Sequence, residues 1–294
     1  MPAPLPDTED LRRGAAYAVF AALGFSLLGI CVKTLAAQGV SNELMVFFRS
    51  FVSFCLLLPW LTHGPSGGFR TQRPGGHFIR SAFGVCAVYC FFYGIAHLPL
   101  AAAMLLTYST PLFVPFIAWV WIDERPPVIV FPASVVGLIG VGFIVKPGGG
   151  FELTAGLVGV LSGLLAACAM VSIRRISDTE PATRIVFYFS ALASLISAVP
   201  LLWAWQSPTP SQWALLILSG ICATWGQLAL TRAYALAPAA RVGPFIYFAV
   251  IFSALLSWLI WNETLDRGFV IGALLVIATC VMVGWQRKEP QLEE

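Results

Sequence analysis

The chain has 294 residues, 59% of them hydrophobic and 11% charged, with a mean hydropathy of +0.84. Soluble domains carry about 25% charged residues, so this composition excludes an ordinary soluble domain and implies an integral membrane protein. The net charge is +3 and no basic run is present, so nucleic acid is not an expected partner.

In chain order, 1–13 is read as a cytoplasmic lead. Its first ten residues are Pro-rich and acidic and are expected to be disordered. The first apolar run is too long for a signal-peptide core and lacks an Ala-x-Ala exit, so it is expected to remain as a span. Apolar runs of about 20 residues are long enough to cross a bilayer. They are expected at 14–36, 42–61, 78–97, 101–122, 128–146, 155–174, 183–204, 212–234, 240–261 and 268–286. The first five form a unit over 14–146 and the last five a unit over 155–286. Between them lies a linker at 147–154, and a cytoplasmic tail follows at 287–294.

Basic residues favour the cytoplasmic ends of spans. With the N-terminus inside, the inner ends, Arg80 among them, hold 13 of the 17 Lys and Arg and the outer ends hold 3; Arg49 lies within span 2. Both termini are therefore expected to be cytoplasmic, and the two five-span units antiparallel.

Arg49 is the one basic side chain read as lying well inside a span. Its cost there is roughly 2.5–3.5 kcal/mol on insertion scales, so it needs a partner. It is either a carboxylate or phosphate clamp or, the preferred reading, a structural residue that caps carbonyls or pairs with Glu43. Span 3 carries Tyr89 and Tyr93. Span 4 carries the polar run Thr107-Tyr108-Ser109-Thr110-Pro111, and Pro111 removes a backbone hydrogen bond there. Broken polar backbone is tolerated at that depth only against protein or a water-filled cavity. Trp225 and Gln227 on span 8 point to different faces. At most one of them therefore faces the cavity. With Tyr89 and Tyr93 they point to aromatic walls with few hydrogen-bonding groups, suited to a flat or amphipathic solute, and the substrate is expected to meet residues among Tyr89, Tyr108, Ser109, Trp225, Gln227, Tyr247 and Arg49.

No Asp or Glu falls at mid-membrane, which favours facilitated diffusion or exchange over proton coupling; a proton-coupled exporter is the alternative. His63, His77 and His97 are read as solvated interface residues. The seven cysteines fall inside spans and are read as buried thiols, with no metal spacing among them. No cofactor is expected. The expected partners are a small-molecule substrate and the lipid bilayer, and the sequence leaves monomer and homodimer open.

The two halves also repeat. Pro99 and Pro238, Trp119 and Trp258, and Glu124 and Glu263 each stand 139 positions apart. An odd number of spans per copy inverts the second copy, a hallmark of secondary transporters with a central site. Tyr108 and Tyr247 share the same offset. With Pro111 and Pro244 nearby, they are expected to act as an outer and an inner gate. The motifs Leu98-Pro99, Ala101-Ala102-Ala103, Pro111-Leu112 and Glu124, echoed by Pro238, Ala239-Ala240 and Glu263, resemble the EamA type of the drug/metabolite transporter superfamily. The resemblance covers about Gly14 to Trp285. It implies ten helices around a central cavity lined by spans 1, 3, 4, 6, 8 and 9, and a carrier of small metabolites. One departure stands out: Pro111 is matched by Val250, so the second kink must rest on Pro244. A membrane-embedded enzyme would need a catalytic cluster that this sequence lacks, and a channel would need a ring of like groups.

Overall fold

The structure is a computed structural model. It describes residues 8–63, 69–123, 128, 130–145, 152–176, 179–236, 243–263 and 265–284. All regular structure among them is helical. The helices are α1 (Thr8–Ala37), α2 (Asn42–His63), α3 (Pro74–His97), α4 (Leu100–Tyr108), α5 (Val114–Ile122), α6 (Val130–Val145), α7 (Leu153–Ile176), α8 (Ala182–Ala198), α9 (Leu201–Ala204), α10 (Pro210–Leu236), α11 (Phe248–Trp261) and α12 (Arg267–Gly284). Glu124, Gly148–Gly150, Pro238–Arg241 and the tail fall outside the described residues.

Five helices, α1, α2, α3, α7 and α10, contain windows long and apolar enough to cross a membrane; the remaining apolar helices are shorter. Part of the expected lead is helical, since α1 starts at Thr8. Glu9 and Asp10 suit its first turn, and Arg13 pairs with Glu9 one turn away at 2.5 Å. Span 7 divides at Val199-Pro200 into α8 and α9. Span 4 divides into α4, a 3-10 turn at Thr110–Leu112, and α5.

Proline sets several of these ends. Pro74 occupies the first turn of α3, where its missing N–H costs nothing. Leu98 is extended before Pro99, which stops α3 and lets α4 start. At the far ends of α5 and α11 stand Asp123 and Asn262, with φ of 54° and 52°. They are the two non-glycine residues with positive φ among the described residues, and they too are 139 apart. Short polar side chains tolerate the left-handed conformation that closes a helix.

The most extensive helix contacts pair α1 with α10, α3 with α7, α6 with α12 and α2 with α8. Three of these crossings run over small residues, as lipid-embedded helices require for close approach. A Cβ on Gly24 would stand 3.1 Å from Gly226 Cα, one on Gly140 2.9 Å from Gly272 O, and one on Gly94 4.0 Å from Gly159 Cα. Leu100 to Leu106 are all buried, so α4 is apolar on every side and runs through the core. The periphery is apolar as well, with Val120, Leu202 and Trp203 each more than 70% exposed.

Candidate functional site: a broken helix pair and two buried arginines

The break in span 4 frees three carbonyls, and each has a hydroxyl. Pro111 has no N–H to offer Thr107 O, which accepts instead from Thr110 Oγ1 at 2.7 Å. Leu106 O accepts from Ser109 Oγ at 2.6 Å. The Leu112 N–H turns to Ser109 O, leaving Tyr108 O without its helical donor. Tyr108 O accepts from Tyr247 Oη at 3.1 Å. Tyr247 is buried at the end of a second 3-10 turn, Gly243–Tyr247, which contains Pro244 and leads into α11.

Two residues 139 apart, expected as an outer and an inner gate, thus meet where the break in span 4 faces the 3-10 turn that leads into α11. Each tyrosine stands beside a broken segment, and the two segments cross, so the side chain of one reaches the backbone of the other. Phe25 of α1 packs near the Tyr108 ring, with centroids 6.2 Å apart. Ser26 on the same helix donates to Ala249 O at 3.0 Å and tethers α1 to the first turn of α11. Gly163 of α7 makes room for the break, because a Cβ there would lie 2.6 Å from Leu106 O.

Next to this crossing lies a buried basic pair. Arg49 on α2 and Arg80 on α3 are 7% and 5% exposed. Both stand over the ring of Phe189 on α8, with guanidinium carbons 5.3 Å and 3.7 Å from its centroid. A Cβ on Gly84 would fall 2.7 Å from Arg80 Nη1, so that glycine creates the space for the stack. Sharing the Phe189 ring brings the two like charges together. Neither arginine forms an ion pair among the described residues, and Arg49 Nε, Arg80 Nε and Arg80 Nη1 have no hydrogen-bond partner. The expected Glu43–Arg49 pair is therefore absent from the described residues. Arg80 was expected at the inner end of span 3; it is buried beside Arg49. The sequence offered one hint, a glycine one turn after Arg80.

The other expected residues are distributed as follows. Tyr89 is half-buried beside the Phe189 cluster, and its buried hydroxyl has no partner. The Ser109 hydroxyl is consumed by Leu106 O. Trp225 packs edge-on against Phe20 at 5.1 Å. Gln227, half-buried on α10, has a partner of its own. Pro111 and Pro244 lie in the two 3-10 turns. Cys55 and Cys86 are exposed, contrary to the reading of all seven cysteines as buried; their helix faces turn outward.

Each end of the molecule has a polar tie. At one end, Lys33 of α1 pairs with Glu263, lies over the Trp261 ring at 5.5 Å and donates to Leu98 O at 3.1 Å. At the other, the buried Glu180 accepts from Thr71 Oγ1 at 2.6 Å, Gln72 N at 2.9 Å and Arg184 Nη1 at 2.9 Å. Burial opposes its ionisation, but these donors prevail and hold its carboxyl down to about 2. His77, expected to be solvated, is 1% exposed: it stacks on Tyr188 at 4.4 Å, with Nε2 3.8 Å from Glu180.

A body whose described residues are helical, with an apolar exterior and an interrupted helix packed against the 3-10 turn that leads into α11, is a multi-pass membrane protein. The chain belongs to the EamA-like transporter family, whose profile matches it twice, over residues 12–146 and 153–285. It is 34% identical over 284 residues to the pseudopaline exporter CntI of Pseudomonas aeruginosa, covering 95% of this chain and 98% of that one. It is 24% identical to a riboflavin transporter of Vibrio cholerae, over 96% of both chains. It is also 24% identical to an S-adenosylmethionine uptake transporter of Rickettsia bellii, over 83% of this chain and 84% of that one. A crystal structure of a protein at 20% identity superposes with a TM-score of 0.63 over 91% of this chain and 94% of that one; the fold is shared. The protein is a transporter of small metabolites and not an enzyme.

Proposed function

We propose that the protein carries a small amphipathic metabolite across the inner membrane by alternating access, as a facilitator or exchanger. In this reading ten spans form two inverted five-helix repeats, both termini are cytoplasmic, and cargo binds where the two broken helices cross.

The observation that carries the reading is the bond from Tyr247 to Tyr108, which joins equivalent positions of the two halves at their breaks. The helix pairings support it. Exchanging the halves turns the α1–α10 contact into α7–α3, and maps the α2–α8 and α6–α12 contacts onto themselves. The end contacts agree with the proposed sidedness. Ser41 meets Gln206, two connections assigned outside, and Gln72 meets Glu180, two assigned inside. The tie of Lys33 to Glu263 then closes the outer end. The names of the relatives favour a small organic cargo.

The test is counterflow in proteoliposomes. Riboflavin or S-adenosylmethionine loaded on one side should accelerate entry of the same labelled solute at equal pH, with saturation. A pH gradient alone should not concentrate it. Flux that rises linearly with concentration and shows no counterflow would refute the carrier cycle. For sidedness, a cysteine at Ser207 should react with an impermeant maleimide from outside and one at Ser177 only from the cytoplasm; the reverse pattern would overturn the orientation.

A further inference from the structure

We infer that Arg49 and Arg80 together bind an oxyanion of the cargo, a carboxylate or a phosphate group, so that the transported metabolite is an anion or zwitterion. The inference rests on the carrier reading above and narrows its cargo.

Two like charges share the ring of one phenylalanine inside the protein, and their unpaired atoms, Arg49 Nε, Arg80 Nε and Arg80 Nη1, are all hydrogen-bond donors. The hydroxyls of Ser50 and Ser81, each next in sequence to one of the arginines, are also buried without partners, as is that of Tyr89. A buried charge is ordinarily paired. A purely structural arginine pair would therefore be expected to have a carboxylate or carbonyls close by, and among the described residues no such acceptor meets these nitrogens. What is missing from the cluster is an acceptor carrying negative charge, and guanidinium groups match the planar oxygens of carboxylates and phosphates.

The cluster is also well placed to receive cargo. Helix α3, which carries Arg80, adjoins the break in span 4: Ser162 Oγ donates to Ala87 O at 3.1 Å and meets Thr107 Oγ1, next to Tyr108, at 3.0 Å. Stacking on Phe189 holds the guanidinium planes without consuming their N–H groups. Gly84, with no side chain, leaves Arg80 Nη1 against bare backbone.

The test uses the full chain in phosphatidylcholine nanodiscs, with succinate and inorganic phosphate as probes at constant ionic strength and succinamide as the neutral control. Succinate or phosphate should raise the wild-type Tm saturably, and succinamide should not. Arg80→Met and the Arg49→Met/Arg80→Met double variant remove charge while keeping an apolar stem. Each should melt no lower than wild type without anion, because a repulsive buried pair is gone, and each should bind the anion at least tenfold more weakly. Arg80→Lys retains the charge and should respond in between.

The proposal is overturned if neither anion stabilises the wild type, if the response survives in the double variant, or if the double variant simply melts earlier while the wild type ignores both anions. Stabilisation by phosphatidylglycerol that replaces the succinate effect, and is lost in the same variants, would make the occupant a lipid headgroup and also overturn it. Transport separates this from the broader reading. Saturable riboflavin counterflow without any anion response sinks the anion site and leaves the carrier standing. Anion binding without flux of any solute sinks the carrier instead.

Discussion

Replacing Tyr247 with Phe removes one oxygen and nothing else. Its hydroxyl donates to Tyr108 O at 3.1 Å, a carbonyl released when the Leu112 N–H turned to Ser109. Tyr247 is 5% exposed, so water is poorly placed to substitute. Losing a part-buried hydrogen bond costs about 0.5–1.5 kcal/mol, equivalent to a factor of roughly 2 to 13 in any equilibrium that depends on this contact. Tyr247→Phe should therefore lower the Tm in nanodiscs and shift populations away from this closed arrangement. Tyr108→Phe keeps the carbonyl and hence this bond. The comparison is thus between two conservative changes at equivalent positions, read by Tm and by counterflow rate. If Tyr247→Phe melts with wild type and transports normally, the hydroxyl is not closing the break and the account of the crossing fails.

Other perturbations test neighbouring features. Gly163→Ala should destabilise by about 1–3 kcal/mol, since its Cβ would lie 2.6 Å from an immovable backbone oxygen. Gly142→Ala, with nothing within 4 Å, should be neutral or gain up to about 1 kcal/mol of helix propensity; similar melting of the two would discredit the packing argument. Glu180 has a folded-state pKa depressed from 4.5 to about 2. Its contribution is therefore complete above about pH 5 and lost as pH falls toward 2. Glu180→Gln should melt earlier at pH 7 and show a flatter acid limb, and an unchanged acid limb would count against the cluster. In a background lacking the exposed Cys55 and Cys86, Glu263→Gln should speed labelling of buried Cys31 by an external maleimide; an unaltered rate would mean the Lys33 tie does not hold that end shut.

Composition and periodicity located the helical segments, because lipid leaves helices as the ready solution for a single apolar chain. Breaks were legible where a proline was weighed, at Pro99, Pro111 and Pro244; the division at Pro200, inside a span read as continuous over 183–204, was not. The 139-residue offset was visible in tryptophans, prolines and glutamates, and the structure adds the left-handed pair Asp123 and Asn262 to it. Proximity was not legible. Arg80 looked like one more charge at a cytoplasmic end, because nothing along the chain says that α8 brings Phe189 over it. His77 looked solvated because the groups that enclose it, Tyr188 and Glu180, lie more than 100 residues away along the chain.

The crossing also carries a lasting asymmetry. Pro111 deprives its own half of an amide, whereas the matching position is Val250, and Tyr247 stands at the helical N-cap of α11, where its carbonyl accepts the first bond of that helix. One copy consequently offers the acceptor and the other the donor, and the roles cannot be exchanged. Had the duplicated halves stayed identical, the empty carrier would face each side of the membrane with equal probability, and only gradients would choose. On the alternating-access reading proposed above, a break built differently in the two copies, with Pro111 in one and Pro244 six residues before the matching Val250 in the other, gives the two orientations different energies, so the unloaded carrier has a preferred side on which to wait. Exchanging the pair, Pro111→Val with Val250→Pro, should shift that preference, read from the face on which a cysteine reagent reaches the empty carrier.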